Sequence, residues 1–266
     1  MQLSGKTVVV TGAAGGIGKA LAVRFKQEGV RGLVIADISA ERVAATAAEL
    51  GVTGVACDVA NEADIGRLVA TTEERFGPID LFCSNAGIIL ADPDFDNAAS
   101  APDADFERCW RIHVMAHVYA ARALLPGMIK RGSGYLLNTV SAAGLLNQIG
   151  SATYSATKHA AIGFAESLAI THQEHGIKVS VLCPQAVRTA MLGDRGETSA
   201  ASVDGILSPE EVAECVVQGL ADERFLILPH PRVAEYVRRK ASDYDRWLKG
   251  MSRLRAHVGQ PRPRRP

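Results

Sequence analysis

The chain has few cysteines, no long apolar run and no excess of charge of either sign. Its five cysteines are odd in number and form no CxxC pair, so we expect neither a disulfide framework nor a cysteine-rich zinc site. The 29 basic and 29 acidic residues balance, which gives no reason to expect a nucleic acid or a membrane as a partner. No apolar stretch reaches the roughly 18 residues of a membrane span. The N-terminus lacks the pattern of a signal peptide, and we expect a cytoplasmic protein.

Seven short apolar runs indicate strands that are buried on both faces, because they are apolar throughout and do not alternate with polar residues. The runs are 7–11, 33–36, 54–57, 81–83, 135–138, 178–183 and 225–228. Stretches with helical periodicity separate them, at 17–29, 40–50, 62–76, 104–131, 152–175 and 209–222. This alternation predicts an α/β fold with a doubly wound, seven-stranded parallel sheet and helices on both faces.

The 266 residues suffice for one large domain, which we place at 1–250. Two segments interrupt the rhythm of strands and helices: 91–105 indicates a surface loop, and 191–208 indicates a flexible flap. The remainder, 251–266, is basic and rich in proline and arginine, and we expect it to be disordered.

A glycine-rich turn, TGAAGGIG at 11–18, joins the first strand directly to a helix. Such a unit presents backbone N–H groups and a helix N-terminus to a pyrophosphate. Gly12, Gly16 and Gly18 would allow a tight turn and the close approach of phosphates, with Ile17 beside them. A glycine-rich loop alone is weak evidence, but its position between a strand and a helix is the context that a dinucleotide requires.

Acidic and amide residues follow the next three strands. Asp37 lies 19 residues after Gly18, close to the spacing of an acid that binds the adenosine ribose, although a helix N-cap or a solvated turn would also explain it. A carboxylate there repels a 2′-phosphate, and positions 15 and 38 carry no Lys or Arg, which favours NAD over NADP. We place the adenine beside Asp58 and Val59. Asn85, Ala86 and Gly87 follow the fourth strand at the same sheet edge.

Taken in order, these features resemble the short-chain dehydrogenase/reductase family. The resemblance covers about residues 5–190 and includes Ser141 and the segment YSATK at 154–158. It implies a doubly wound fold, a nicotinamide cofactor, and hydride exchange between alcohols and carbonyls. Family members are often dimers or tetramers, and we expect a homodimer or homotetramer.

Tyr154 and Lys158 are four residues apart and therefore share one face of a helix. The reference pKa of a tyrosine is about 10, and a neighbouring ammonium lowers it. In the family, the lysine also holds the nicotinamide ribose. Ser141 would hold the substrate oxygen while Tyr154 accepts the alcohol proton as a general base, or donates it in the reverse direction. A solvated helix pair is the alternative explanation.

Two positions depart from the family pattern. His113 stands where the family commonly has an asparagine of the proton relay. Because imidazole titrates near neutrality, we hypothesise that His113 supports proton exit to solvent; the alternative is that it only fills space. His113 and His117 are four apart, but the segment lacks the glutamate and the third ligand of a zinc site, and we expect no metal.

After the sixth strand, Pro184, Val187 and Thr189 match the family, and the last two would face the nicotinamide. Gln185 replaces a glycine, so that it either contacts substrate or points to solvent. We expect substrate contacts from Ser141, Leu145, Gln185 and Met191. Leu145, Leu146, Ile149, Met191 and Leu192 make this pocket apolar, which predicts a hydrophobic secondary alcohol and its ketone. Farther on, an apolar face with Trp247, Leu248 and Met251 would cover the pocket, a neighbouring subunit or the domain's own core.

The sequence thus favours an NAD-dependent alcohol dehydrogenase or carbonyl reductase with Tyr154 as acid and base. Two alternatives stay open: a non-catalytic dinucleotide-binding or scaffold protein on the same fold, and an NAD-using isomerase or dehydratase. The sequence does not identify the substrate.

Overall fold

The computed structural model describes residues 1–193 and 200–258. It contains one seven-stranded sheet in the order β3-β2-β1-β4-β5-β6-β7, and all neighbouring strands are parallel. The strands are β1 Thr7–Thr11, β2 Gly32–Asp37, β3 Thr53–Ala56, β4 Leu81–Ser84, β5 Gly134–Thr139, β6 Ile177–Leu182 and β7 Leu226–Ile227. The predicted doubly wound parallel fold is confirmed.

Helices cover both faces of the sheet. They are α1 Gly16–Gln27, α2 Ala40–Leu50, α3 Glu62–Phe76, α4 Asp103–Trp110, α5 Ala116–Arg131, α6 Ala152–His172, α7 Pro209–Ala221, α8 Arg232–Ser242 and α9 Tyr244–Val258. Local sequence sets their ends: Ser208 and Glu211 form a reciprocal capping box at the start of α7, with Pro209 in its first turn. Gly51 ends α2 in the left-handed conformation that glycine adopts without strain.

The side chains of β1 alternate between two apolar layers. Val8 and Val10 pack on one side of the sheet, in the layer that includes Phe25 of α1. Val9 packs on the other side, in the layer that includes Leu68 of α3. All five β1 residues are buried. A strand covered on both faces has no solvent side, which explains the uninterrupted apolar runs in the sequence.

The predicted helix at 104–131 contains a π-helical turn, Arg111–Met115, between α4 and α5. Within the described residues, the continuous helical stretch Asp103–Arg131 is long and apolar enough by length and composition to cross a membrane. Its apolar character has a structural use here, because Ala120, Leu124 and Met128 are buried in the layer between α5 and the sheet.

The C-terminal segment differs from the expectation. The helix α9 continues to Val258, so the prediction of disorder is wrong for 251–258, and 259–266 lie outside the described residues. A cluster around Leu146 and Val233 includes Tyr236 of α8 and Trp247 of α9. These apolar contacts tie the C-terminal helices to the domain and explain why the chain stays ordered beyond residue 250.

The order in which the chain adds strands to the sheet reverses between β1 and β4, two parallel neighbours in its middle. From β1 the chain proceeds to β2 and β3 on one side, whereas β4, paired with β1 on the other, leads on towards β7. In open α/β sheets the ligand crevice lies at such a switch point, outside the carboxyl ends of the strands.

Candidate active site

A cavity of about 2000 Å³ opens at this switch point. At one end it is lined by the glycine turn and by the residues that follow β2, β3 and β4. At the other end it is lined by residues after β5 and β6 and by the C-terminal helices. The predicted site residues that line it are Gly12, Gly16, Ile17, Asp37, Asp58, Val59, Asn85, Ala86, Gly87, Ser141, Tyr154, Lys158, Pro184, Gln185, Val187, Thr189 and Met191.

The structure explains in a different way why each of the three predicted positions of the turn holds a glycine. A Cβ at Gly12 would lie 2.7 Å from Cα of Ala86, and one at Gly18 would lie 2.4 Å from the Gly12 carbonyl oxygen. Close packing inside the protein therefore requires both, and Gly18 lies beneath the cavity and does not line it. Gly16 has φ of +53°, and a Cβ there would meet Thr189 at 3.1 Å. At all three positions the protein's own packing or backbone conformation therefore already favours glycine.

At the adenosine end predicted from the sequence, the Asp37 carboxylate is held by two backbone groups. Its oxygens accept the N–H of Ala14 at 3.1 Å and that of Ser39 at 3.3 Å. Arg42 of α2 also lines this end, and a Cβ at Gly15 would lie 3.4 Å from its guanidinium. The sequence argument considered only positions 15 and 38 and missed this cation, because Arg42 reaches the turn from the first turn of a helix.

Asn85 stabilises the glycine turn from the neighbouring strand. Its side-chain amide donates to the carbonyl oxygens of Thr11 at 3.0 Å and Gly12 at 3.4 Å. Asp58 is similarly held in place, since its carboxylate accepts the N–H of Ala60 at 2.9 Å. Both residues line the cavity while also shaping its wall.

Ser141, Tyr154 and Lys158 converge on one wall of the cavity. The hydroxyl of Ser141 donates to the Pro184 carbonyl at 3.4 Å and accepts the N–H of Ala143 at 3.1 Å. Nζ of Lys158 lies 5.6 Å from the ring centroid of Tyr154 and donates to the Thr139 carbonyl at 3.1 Å. All three predicted residues are less than a tenth exposed. This part of the site therefore has little access to water, and hydrogen bonds hold Ser141 and Lys158 in place.

Burial is the largest influence on the pKa values of Tyr154 and Lys158. Desolvation raises the pKa of Tyr154, and a hydrogen bond with Ser141 opposes that rise. Desolvation also lowers the pKa of Lys158 to about 8. The net shift in the pKa of Tyr154 is therefore upward in the protein alone, opposite to the direction expected from the sequence. Loss of water around the buried phenol is its largest cause.

His113 lies behind the wall formed by Ser141, Tyr154 and Lys158 and does not line the cavity. Its Nε2 accepts the N–H of Ile88 at 3.1 Å, and its Nδ1 lies 2.9 Å from the hydroxyl oxygen of Thr157. Because that hydroxyl donates to the Thr153 carbonyl at 2.7 Å, the proton between His113 and Thr157 belongs to Nδ1. Both ring nitrogens are thus occupied.

Desolvation, with a further contribution from the charge of Lys158, lowers the pKa of His113 to about 2. The expectation that this imidazole titrates near neutrality is wrong. A neutral ring that joins Ile88 to Thr157 has no free nitrogen for proton exit. The geometry instead makes His113 a positioning residue for the helix that carries Tyr154.

His117 is buried one turn farther along α5. Among the residues that the structure describes, neither of its ring nitrogens has a hydrogen-bond partner, and burial lowers its pKa to about 3. Within residues 1–193 and 200–258, no group of three or more His, Cys, Asp or Glu side chains is arranged to hold a metal ion.

The substrate end differs in detail from the expectation. Leu145 is not in the cavity wall but packs in the cluster with Tyr236, whereas the next residue, Leu146, lines the cavity. Both residues directly follow the 3₁₀ turn Ala142–Gly144. Gln185 lines the cavity, and its backbone N–H donates to Nδ1 of His230 at 3.2 Å.

Lys240 connects α8 to this wall, a contact that the sequence gave no reason to expect. Its ammonium donates to the carbonyls of Leu145 at 2.8 Å and Leu146 at 3.0 Å. The same nitrogen lies 3.4 Å from Nε2 of His159, which follows Lys158 in α6. The C-terminal helices are therefore fastened to the loop that leaves Ser141.

Fold and cavity together define a Rossmann-type nucleotide-binding protein, with the glycine turn at one end of the crevice and a Ser, Tyr and Lys wall at the other. Residues 6–200 match the model of the short chain dehydrogenase family. The chain belongs to this family of oxidoreductases, the short-chain dehydrogenases/reductases.

Relatives match over most of the chain. It is 36% identical over 233 residues to the 1-deoxy-11-beta-hydroxypentalenate dehydrogenase of Streptomyces exfoliatus, covering 85% of this chain and 84% of the relative. It is 32% identical over 238 residues to the epidermal retinol dehydrogenase 2 of Homo sapiens, covering 86% and 75%.

Solved structures of similar proteins have the same fold. A short-chain dehydrogenase/reductase from Burkholderia phymatum in complex with NAD superposes with a TM-score of 0.82 at 28% identity, covering 92% of this chain and 96% of that one. A 3-ketoacyl-(acyl-carrier-protein) reductase from Brucella melitensis complexed with NADH gives 0.76 at 27% identity, covering 85% and 96%.

Proposed function

We propose that the chain is an NAD-dependent dehydrogenase that interconverts a hydrophobic secondary alcohol and its ketone, with Tyr154 as the general base or acid. The observation that carries this proposal is the convergence of Ser141, Tyr154 and Lys158 on one wall of a cavity whose other end is the glycine turn. An alcohol bound in that cavity would lie next to Tyr154, the proton acceptor, and next to the expected position of the cofactor.

NAD is the cofactor that the residues fit. The glycine turn leaves the α1 N-terminus open to the cavity, and a Cβ at Gly15 would meet only the flexible end of Arg42. Asp37 presents a carboxylate that can accept ribose hydroxyls and disfavours a 2′-phosphate. The similar structures with NAD and NADH support the same choice. When bound, NAD supplies the acceptor for the hydride of the alcohol carbon.

The residues of the chain handle the proton. Ser141, held by the Ala143 N–H and the Pro184 carbonyl, orients the substrate oxygen towards the phenol of Tyr154. Tyr154 accepts the hydroxyl proton in the oxidation and returns it in the reduction. Lys158 holds a positive charge close to the ring and so favours the phenolate that forms. Pro184, Val187 and Thr189 close the nicotinamide end.

The lining around the catalytic wall supports an apolar substrate. Leu146, Ile149 and Met191 line the cavity beside Gln185, which provides an amide for orientation. The relatives named for a hydroxypentalenate and for retinol are dehydrogenases of alcohols with different carbon skeletons. They support the reaction and leave the particular alcohol open.

The test is to incubate the purified protein with NAD and a panel of secondary alcohols while following the absorbance of reduced nicotinamide. We expect net NAD reduction, which Tyr154→Phe abolishes while NAD still binds, measured by calorimetry. Tyr119→Phe on α5 is the matched control and should retain turnover. NAD binding without turnover would favour a scaffold role, and product without net reduction would favour an isomerase or dehydratase; either result would contradict the proposal.

The assembly state and the cellular location stay predictions. We propose a homodimer or homotetramer, which light scattering of the purified chain tests. We also propose a cytoplasmic location, which fractionation of the source cells tests.

A further inference from the structure

The side of α9 that lines the cavity carries both apolar and positively charged residues. Trp247 and Leu254 are seven residues apart, and they lie two turns from each other on the side that lines it. Arg246 and Arg253 have the same spacing and line the cavity along one edge of that apolar stripe. An apolar surface thus runs beside a pair of guanidinium groups within one wall.

Within the part of the chain that the structure describes, these arginines form no ion pair. No ion pair within the described residues includes Arg246 or Arg253, or Arg108, which lines the cavity from α4. By contrast, Arg255, which does not line the cavity, pairs with Asp96 at 2.5 Å. Of the three arginines of α9, the two that line the cavity are thus the two without an ion pair among the described residues.

The carboxylates near this part of the cavity already have partners. Asp92 accepts the N–H of Ala152 at 2.8 Å, and Asp243 accepts the N–H of Arg246 at 2.9 Å, as helix-capping residues do. Arg239 also lines the cavity but pairs with Glu235. Among the described residues, the three unpaired arginines, Arg108, Arg246 and Arg253, exceed the two carboxylates Asp92 and Asp243 by one positive charge. This excess favours an anion, for which the planar guanidinium is well suited.

An apolar path leads from the catalytic wall to these arginines. Leu146 lies in the cluster that Trp247 joins, and the Trp247 ring stacks at a tilt on Tyr236, with centroids 6.4 Å apart. Because Lys240 holds α8 to the carbonyls of Leu145 and Leu146, the C-terminal helices keep this path in place.

We propose that the alcohol oxidised at this site carries an anionic group, remote from the reacting carbon, which Arg246 and Arg253 bind while its apolar body lies on Trp247 and Leu254. This rests on the proposed function and specifies its substrate class as an amphiphilic hydroxy acid. Arg108 contributes to the positive field at the same cavity.

The test compares lithocholate and isolithocholate with their methyl esters. These rigid probes carry a secondary alcohol at one end of an apolar body, and the carboxylate at the other end is either charged or neutral. Binding is followed through Trp247 emission in a Trp110→Phe background, since the chain has two tryptophans. Turnover is followed through NAD reduction.

We expect at least one acid epimer to bind ten-fold or more tightly than its ester at low salt, and this advantage to shrink as ionic strength rises. The double variant Arg246→Gln/Arg253→Gln should raise KM and the dissociation constant of the acid about ten-fold. It should leave kcat and the values for the ester unchanged. Arg238→Gln, an exposed arginine of α8 outside the cavity wall, is the matched control.

The outcomes separate the two proposals. Equal affinity for acid and ester, or measurable affinity for neither, overturns the anion site whatever the activity with other alcohols. Arginine-dependent binding of the acid with no NAD reduction by any alcohol overturns the proposed function and leaves an anion-binding cavity.

Discussion

The imidazole of His113 stands edge-on to the phenol ring of Tyr154, with ring centroids 5.4 Å apart and planes at 88°. The contact comes from the π-helical turn Arg111–Met115, which carries His113. The same imidazole joins Ile88, in the segment after β4, to Thr157 of α6. The orientation of the proposed general base therefore depends on a neutral ring outside the cavity.

Replacing His113 should alter the rate without altering the pH dependence. We expect His113→Leu to lower kcat about 10–100-fold, because Tyr154 loses its lateral support and small misplacements are costly in catalysis. His113→Asn should recover part of kcat, since the amide can accept the Ile88 N–H. The pKa values of the kcat/KM profile should stay unchanged. A pH profile that loses a limb in His113→Leu would restore a role in proton transfer.

Replacing Lys158 should stabilise the fold while abolishing activity. The pKa of Lys158 is lowered to about 8, so the folded protein pays for a buried charge below that pH, and the penalty disappears as pH rises towards the reference value. We expect Lys158→Met to raise the free energy of unfolding at pH 7 by about 1–3 kcal/mol, net of the lost bond to the Thr139 carbonyl. Urea unfolding measures this. A gain that does not shrink between pH 7 and pH 10 would contradict the explanation.

Replacing Asp37 should shift the choice of cofactor. Asp37→Ser removes the charge that opposes a 2′-phosphate and leaves Arg42 at the same end of the cavity. We expect KM for NAD to rise about ten-fold and kcat/KM for NADP to increase. The double variant Asp37→Ser/Arg42→Gln is the control and should lose the gain with NADP. An NADP gain that survives in the double variant would exclude Arg42 as its cause.

Replacing His117 should reduce sensitivity to acid. The pKa of His117 is lowered to about 3, so protons bind the unfolded chain preferentially as pH falls below about 6.5, and stability is lost in that window. We expect His117→Leu to gain about 2 kcal/mol over the wild type between pH 7.5 and pH 5, measured by urea unfolding at both pH values. The exposed His257→Gln is the control. An equal gain at both pH values would show that packing alone accounts for the change.

The strand positions and the sheet were accessible from the sequence because they depend on local pattern. Buried parallel strands produce unbroken apolar runs, and all seven runs became strands. The same holds for the glycine turn, Asp37 and the pair Tyr154 and Lys158, whose spacing along the chain is itself the geometric constraint. Family membership followed from these local features and is confirmed.

The pKa values of the site residues and the lining of the cavity depend on contacts between segments that are distant in the sequence. Burial of Tyr154 and His113 comes from β5, α5 and α6 packing together, so neither pKa followed from neighbours in sequence. Leu145, which follows a 3₁₀ turn that the sequence did not predict, packs against Leu146 and Val233 and does not line the cavity.

The sequence by itself determined the sheet, the glycine turn and the side chains proposed to be catalytic, because short-range spacing and apolarity encode them. Only the tertiary structure decided which groups are desolvated, which glycines serve packing, and that α9 brings Arg246 and Arg253 to the cavity. The physical reason is that desolvation and charge complementarity depend on distances through space, which chain separations of 90 residues and more do not specify.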